Sequence, residues 1–399
     1  MDPVATQYEA YPYPERDPAD EAKRLIEGSP SHPAEVDHFL FGGRRDWSRP
    51  FRALFAGGGS GDGLIMMAQK LVDRGTPAEI TYLDMSTASR RVAEARAAAR
   101  GLASIRFLTG DLLTAPEYGP FDYIDCTGVL HHLPDPDAGF AALASALGPN
   151  GGIGAMVYAP HGRTGVYPLQ AALRTLTAGE APEAQVALAK SALKALPKTN
   201  WFGRNPHLGD HRTSDAGLYD LLLHARDRPY DVAALLEALA RAGLHFVSFT
   251  EPLRYEPKLY LPGPLAARAE TLEAPARAAM AEQLAGNMKV HVFYAAKTPV
   301  KPAAFTLDAR PRLNGPPAAA LAREVERKGA LRVEREGLTH ALEIPRGAGP
   351  LLALADGRLR LGEIARARKL DWIAFSALWR PAHEALTGFN LLRYSESMR

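Results

Sequence analysis

The sequence is poor in the features that mark secreted, membrane-spanning and highly charged proteins. Its 399 residues include one cysteine, Cys126, so no intramolecular disulfide can form. No apolar run approaches the ~20 residues that a membrane-spanning helix needs, and the N-terminus is acidic and proline-rich where a secretory signal would be basic and then apolar. A net charge of +2 gives little attraction to nucleic acid or to a membrane surface. These absences predict a cytoplasmic globular protein. The length of 399 residues fits about two or three domains.

What the sequence does contain is an alternation of β-rich runs and helical patterns between residues 51 and 300. This alternation is typical of a parallel sheet with helices on both faces. Seven runs have strand character: RALFAG, AEITYLD, SIRFLTGD, FDYIDCTG, GIGAMVYA, LHFVSFT and MKVHVFYAAK. Residues 137–151, between the fourth and fifth runs, have a helical pattern closed by Pro-Asn-Gly-Gly. We therefore predict an α/β fold with a Rossmann-like, seven-stranded, mostly parallel sheet.

Three segments depart from the alternation. Residues 160–230 are dense in aromatic, histidine and charged side chains, which indicates a helical cover inserted before the sixth strand. Residues 1–50 form a leader whose QYEAYPYPERDP stretch is too proline-rich for a helix, and composition fits a lid and a disordered tail equally well. Residues 301–399 follow a proline-rich linker with helix, Asp-Gly turn, helix, helix and strand patterns. We predict a winged-helix-like α+β domain there.

The C-terminal segment has more basic than acidic residues, which raises the question of nucleic acid. Its last helix, however, carries Trp372, Phe375 and Trp379 in place of a row of exposed lysines and arginines. Protein contact, docking of a substrate peptide, or formation of a homodimer is the favoured use of this segment, and nucleic-acid binding is disfavoured.

The stretch FAGGGSGDGL, residues 55–64, places a glycine-rich loop directly after the first strand. A dinucleotide fingerprint that starts at Gly57 would need its third glycine at position 62, where the chain has Asp62. A P-loop would need a lysine after its last glycine, and Leu64 follows Gly63. Both nucleotide alternatives therefore fail on spacing.

The spacing Gly57, Gly59 and Gly61 fits a loop that holds a small carboxylate against the start of a helix. Asp84 ends the second strand at the offset where an acid reaches ribose hydroxyls in nucleotide-binding units. Asp111 follows the third strand at the same edge of the sheet, where it would face an adenine amino group. S-adenosylmethionine carries all three of these groups.

Together, ALFAGGGSG, YLDMS, TGDLL and GVLHHLPDP resemble the motifs of class I S-adenosylmethionine-dependent methyltransferases over residues 50–160. Similar Tyr-Pro-rich leaders precede some bacterial methyltransferases, including ones that act on protein lysines. The resemblance implies S-adenosylmethionine as cofactor. The residues it implies for cofactor binding are Gly57, Gly59, Gly61, Asp84, Met85, Asp111 and Leu112.

One departure from the family pattern bears on the cofactor. Most members carry an acid two positions before the first glycine, where it helps to hold the methionine amine or orders the loop, and this chain has Phe55 there. Asp62, a few residues on, is a candidate substitute.

Methyl transfer from a sulfonium needs positioning and sometimes a base, so no fixed catalytic motif is expected. His131 and His132 follow the fourth strand and are the candidate catalytic residues, and no metal site is predicted. The candidate substrate-binding residues are Tyr11, Tyr13, Arg163, Tyr167, Trp201, His211 and Tyr219. The acceptor, a nitrogen, oxygen or carbon atom of a small molecule or protein, stays open. The alternative is a catalytically silent binding or regulatory protein of the same fold.

Overall fold

The computed structural model describes residues 3–398 and is built around one seven-stranded sheet. The strand order is β3-β2-β1-β4-β5-β7-β6. The strands are β1 (Phe51–Ala56), β2 (Ala78–Asp84), β3 (Ile105–Thr109), β4 (Phe121–Thr127), β5 (Leu147–Tyr158), β6 (His245–Phe249) and β7 (Val290–Ala296). Strand β7 runs antiparallel to both of its neighbours, whereas the pairs among β1 to β5 are parallel. The predicted seven-stranded, mostly parallel sheet is confirmed.

The parallel strands bring the ends of β1, β2, β3 and β4 to one edge of the sheet, because each is followed by a crossover connection. Helices cover both faces. The helices of this part of the chain are α1 (Pro3–Ala10), α2 (Pro33–Leu40), α3 (Asp62–Asp73), α4 (Thr87–Ala99), α5 (Pro136–Ala146), α6 (Val166–Leu176), α7 (Pro182–Ala195), α8 (Trp201–Arg204), α9 (Asp215–Leu218), α10 (Val232–Arg241), α11 (Gly263–Glu270) and α12 (Ala274–Ala285).

Alternation along the strands separates two apolar cores. Leu54 and Ile124 pack with residues of α5 and α10 on one face of the sheet. Phe55 and Tyr123 pack with residues of α2, α3 and α4 on the other face. Successive side chains of a strand point to opposite faces, which is why neighbours in sequence belong to different cores.

The connection between β4 and β5 has a shorter helix than the sequence pattern predicts. Helix α5 ends at Ala146, and β5 begins at Leu147 and runs through the Pro-Asn-Gly-Gly segment that we assigned to the helix end. Glycine at 151 and 152 permits close packing, since a Cβ at 152 would lie 2.6 Å from Leu40 Cδ2 of α2.

The leader contains helices that its proline content did not predict. Helix α1 ends at Ala10, before the first Tyr-Pro pair, so the prolines that argued against a helix lie beyond it. All eight residues of helix α2 are buried. The prediction that this segment is too proline-rich for a helix is therefore wrong for Tyr8, which lies in α1, and the leader includes part of the core.

The inserted cover spans α6 to α9 and ends in a π-helical turn at Tyr219–Leu223. Its own apolar cluster includes Val166, Leu173, Phe202 and Leu222. Across residues 3–398, no helix is both long enough and apolar enough to cross a membrane.

The C-terminal segment packs around a separate apolar cluster that includes Phe375 and Trp379. Its elements are β8 (Arg310–Leu313), α13 (Ala318–Lys328), β9 (Ala330–Arg335), β10 (Leu338–Glu343), α14 (Gly349–Leu352), α15 (Leu361–Ala367), α16 (Trp372–Gly388) and β11 (Leu392–Ser395). The expected helices and strand are present, but α13 and the β9–β10 hairpin are additional, and β11 pairs with β8 from the proposed linker. The winged-helix assignment and the domain boundaries stay predictions.

Candidate functional site

The glycine loop lies between β1 and α3, at the sheet edge where the strands end. Gly57 and Gly59 have φ of 69° and 51°, a region that residues with a Cβ rarely adopt. A Cβ on Gly57 would collide with Val129, and one on Gly59 would lie 3.1 Å from the carbonyl oxygen of Tyr13. The loop is therefore held close to both the β4 edge and the leader.

Asp84 fixes the loop from the end of β2. Its Oδ2 accepts a hydrogen bond from the Gly59 N–H at 2.8 Å, and its Oδ1 accepts one from the Ser86 N–H at 2.8 Å. Burial raises the pKa of this carboxyl, while the two backbone N–H groups oppose the rise. Ser86 in turn caps α4 by accepting from Ser89 N–H. Asp84 thus ties the glycine loop to the end of β2 and the start of α4.

Asp111 occupies the corresponding position after β3 and is exposed. Its Oδ1 accepts a hydrogen bond from the Leu113 N–H at 2.9 Å, so the carboxylate caps the short turn that follows. A carboxylate oxygen that accepts one hydrogen bond keeps further acceptor capacity.

These segments line a cavity of about 500 Å³, a size typical of small-molecule sites. Its wall includes Gly57, Gly59, Gly61, Asp84, Met85, Asp111 and Leu112, which are the residues that the sequence nominated for the cofactor. The leader supplies part of the opposite side through Val4, Tyr8, Tyr13, Pro14, Arg16 and Ser31. The cavity therefore lies between the strand ends and the leader.

The leader is held to the glycine loop by ion pairs. Arg16 donates from Nε and Nη2 to the carboxylate of Asp62 at 2.9 and 2.6 Å. Arg96 of α4, which is 1% exposed, donates to Asp62 at 2.7 Å and to Glu21 at 2.7 Å. These hydrogen bonds lower the pKa of Asp62 although burial acts to raise it.

The two candidate histidines lie in different surroundings. His131 is 1% exposed, packs against Tyr158 with ring centroids 4.0 Å apart, and does not belong to the cavity wall. His132 lines the cavity, and its Nδ1 lies 2.7 Å from the carbonyl oxygen of Arg226. Because a carbonyl only accepts, Nδ1 carries the proton and the Nε2 lone pair is available.

Asp220, from the π-helical turn of the cover, closes the same end of the cavity. Its oxygens accept hydrogen bonds from Tyr8 Oη at 3.1 Å and from Tyr158 Oη at 2.7 Å. Burial is the main cause of a raised pKa for Asp220 and of lowered pKa values for His132 and His224. The histidines are thus neutral near pH 7.

His132, Asp220 and His224 also offer ligand atoms within 4.8 Å of one another, the spacing of a metal site. The two imidazole rings stack with centroids 3.6 Å apart and planes at 15°, so their in-plane lone pairs lie in separate, nearly parallel planes and do not converge on one point. In addition, His224 Nδ1 accepts the Arg226 N–H at 3.1 Å, which leaves the His224 proton on Nε2. The cluster suits a hydrogen-bond network better than a metal ion.

Most of the residues nominated for substrate binding lie elsewhere. Tyr13 lines the cavity, but Tyr11 stacks on Tyr219 at 5.3 Å outside it, and Trp201 is 65% exposed. His211 packs against Phe202 at 4.9 Å, in the cover.

Arg163 and Tyr167 have a supporting position. Arg163 pairs with Asp227 at 2.7 Å, donates to Tyr167 Oη at 3.0 Å, and lies 3.7 Å above the Tyr158 ring. Arg163 and Tyr167 therefore lie behind the cavity wall, since neither lines the cavity and Arg163 packs on Tyr158, which does.

Many residues of the cavity wall were not predicted as site residues, and the polar ones among them include Ser31, Asp125, Tyr158 and Asp220. The sequence could have indicated Asp125, because it lies near the carboxyl end of β4, on the strand next to β1 and its glycine loop. Asp220 had no sequence signal, since the cover lacks a clear period, and π-helical turns are recognised only in a structure.

The comparisons with known proteins agree with this geometry. Residues 54–153 match the family model described as a methyltransferase domain. An uncharacterized protein of Synechococcus sp. is 31% identical over 268 residues, which is 64% of this chain. This chain therefore spans only part of the relative, since the match covers 61% of the relative's length.

Among solved structures, PKMT2 from Rickettsia typhi in complex with AdoHcy aligns with a TM-score of 0.64 and 15% identity, covering 92% of this chain and 76% of that one. A second structure of PKMT2 aligns with a TM-score of 0.61 and 16% identity, covering 87% and 72%. Sheet order, glycine loop and family match together show that the chain contains a methyltransferase domain with the class I, S-adenosylmethionine-dependent fold.

Proposed function

We propose that this protein transfers a methyl group from S-adenosylmethionine to an amine acceptor bound beside His132 and Asp220. The observation that carries the proposal is the shared cavity. It joins the glycine loop, Asp84 and Asp111 at one end to His132 and Asp220 at the other.

The cavity wall fits the cofactor. Gly57 and Gly59 have positive φ and lie where a Cβ would crowd Val129 and Tyr13, Asp84 suits a ribose, and Asp111 suits an adenine amino group. When bound, the cofactor supplies a methyl group that is already activated on a sulfonium. The protein's own residues then have to hold the acceptor in line, exclude water and accept a proton.

The acceptor end favours an amine because Asp220 is a buried carboxylate whose hydrogen-bond partners are the hydroxyl groups of Tyr8 and Tyr158. A cationic ligand would balance this charge, and the rings of Tyr8, Tyr13 and Tyr158 line the same cavity and favour a cation. A hydroxyl or carbon acceptor would bring no positive charge to interact with Asp220.

His132 is suited to take the proton that an ammonium must lose before it attacks. Its Nε2 is buried and has no hydrogen-bond partner among the described residues. The negative charge of Asp220 acts to raise the pKa of His132 against the effect of burial, so it stabilises the imidazolium that forms.

The test is to incubate the protein with a cell extract and with S-adenosylmethionine that carries a labelled methyl group. The His132→Gln variant, incubated in the same way, is the control. Label on protein lysines or on a small basic amine supports the proposal, and label on a hydroxyl or carbon atom overturns the amine assignment. The replacement of the family acid by Phe55 motivates the alternative of a catalytically silent protein, and binding of the cofactor without any transfer of label would favour it.

A further inference from the structure

The end of β1 carries an apolar ring where the family pattern has an acid. Phe55 is 1% exposed and lines the cavity two residues before Gly57. A phenyl ring at this position removes the carboxylate that would balance the ammonium group of an amino-acid ligand. The charge has to come from another residue of the cavity.

Asp62, the substitute nominated from the sequence, is already neutralised. Arg16 and Arg96 both donate to its carboxylate, at distances of 2.6 to 3.2 Å. Two guanidinium groups around one carboxylate leave no net negative charge to attract a further cation.

Asp125 lies on the neighbouring strand, beside the position that the acid would occupy. Strands β1 and β4 are parallel, and Phe55 and Asp125 are direct partners in their register. Partner residues of paired strands lie on the same face, about 4.8 Å apart. Asp125 is 7% exposed, and both side chains line the cavity.

The hydrogen-bond partners of Asp125 are neutral. Ser31 Oγ and Thr127 Oγ1 donate to its Oδ2, the second at 3.2 Å. Within residues 3–398 no lysine, arginine or histidine forms an ion pair with it. Burial raises its pKa to about 6, so the carboxylate is charged near pH 7 but lacks a counter-ion.

The other cavity carboxylates have different surroundings. Both oxygens of Asp84 accept backbone N–H groups, Asp111 is exposed after β3, and Asp220 lies at the histidine end.

We propose that Asp125 binds the ammonium group of S-adenosylmethionine and so replaces, from β4, the acid that β1 lacks. The inference rests on the proposed function, since it concerns the same cavity. Ser31 and Thr127 position the carboxylate, and Ser31 brings the leader into the cofactor site.

The test is a thermodynamic cycle with Asp125→Asn and two ligands, measured by calorimetry at pH 7.5. S-adenosylhomocysteine carries the ammonium group, whereas 5′-methylthioadenosine lacks the amino-acid arm. Asparagine keeps the size of the side chain and an acceptor oxygen for Ser31 but removes the charge. Asp122→Asn is the matched control on the same strand, where Asp122 pairs with Arg45.

Asp125→Asn should weaken binding of S-adenosylhomocysteine by about 10- to 100-fold and change binding of 5′-methylthioadenosine by less than about 2-fold. Equal loss for both ligands, or no loss for either, would overturn the inference while leaving the cofactor assignment in place. Failure of the wild-type protein to bind either ligand would instead refute the proposed function. Thermal unfolding shows whether the Asp125→Asn variant is folded. If it is not, Asp125→Ser is measured with the same two ligands.

Discussion

At the scale of single residues, the cavity is distinguished by its carboxylates. Asp84, Asp125 and Asp220 are buried, and burial raises the pKa of each. Burying a carboxylate costs free energy unless it is paired or hydrogen-bonded, and each of these three accepts hydrogen bonds that offset the cost. In the proposed function they would contact the ribose, the ammonium group and the acceptor, in that order.

Replacing Asp84 with alanine should weaken binding of S-adenosylhomocysteine by about 1 to 3 kcal/mol, because the ribose hydroxyls and the Gly59 N–H lose their acceptor. Calorimetric titration measures the change. Glu79→Ala is the control, since Glu79 is exposed on the same strand and pairs with Arg52. An affinity equal to that of the wild type would remove Asp84 from the site.

Replacing His132 with glutamine should lower the rate of methyl transfer by about 100-fold or more and leave affinity for S-adenosylhomocysteine unchanged. The pKa of His132 is lowered from 6.5, and the neutral ring is the active form. The wild-type rate should therefore hold as pH falls to 6.5 and decline only at more acidic pH, where the ring gains a proton. His161→Gln, at a partly exposed position outside the cavity, is the control, and an equal loss of rate there would refute a specific role for His132.

At the scale of elements, several polar contacts hold the leader over the cavity, and the Arg16–Asp62 pair is one of the more exposed of them. The side chains of Arg16 and Asp62 are 30% and 29% exposed, so their ion pair stabilises the closed position of the leader by about 1 kcal/mol or less. The residues that this pair holds in place include Tyr13 and Pro14 of the cavity wall.

Arg16→Ala should raise the dissociation rate of S-adenosylhomocysteine by roughly 2- to 5-fold, because the leader opens more readily. Stopped-flow displacement measures this rate. Lys23→Ala is the matched control, since Lys23 is 74% exposed and pairs with Asp20 within the same leader. If both variants release the ligand at the wild-type rate, the leader does not limit release.

The elements that sequence could predict are those with a strong period or a fixed motif. Strands such as Phe51–Ala56 follow from short, mainly apolar runs, and the glycine loop follows from the spacing of its glycines. The acceptor end could not be predicted, because Tyr8, Asp220 and Tyr158 meet through the packing of leader, cover and sheet. Arg163 has the residue type of a binding site, but its pairing with Asp227 is visible only in three dimensions.

At the scale of the whole molecule, the C-terminal segment stabilises the leader through contacts between β11 and α2. Arg393 of β11 donates to Glu35 of α2, and Ser395 donates to Asp37 at 2.6 Å. Glu35 also accepts from Tyr294 Oη of β7 at 3.0 Å. Helix α2 is therefore fixed between the large sheet and the C-terminal strand.

Arg393→Ala should reduce the free energy of unfolding by about 3 to 5 kcal/mol, since it leaves Glu35 buried without its cation. Chemical denaturation measures the loss. Arg358→Ala, which breaks a pair whose arginine is 85% exposed, should cost less than about 1 kcal/mol. Similar losses of unfolding free energy for the two variants would contradict the inference that β11 stabilises α2.

The central claim is that the cavity between the strand ends and the leader binds S-adenosylmethionine. Calorimetric titration of the wild-type protein with S-adenosylhomocysteine tests it most directly. The structure predicts saturable binding of one ligand per chain that is weakened by Asp84→Ala. Absence of binding at high micromolar ligand would contradict the assignment of the cavity.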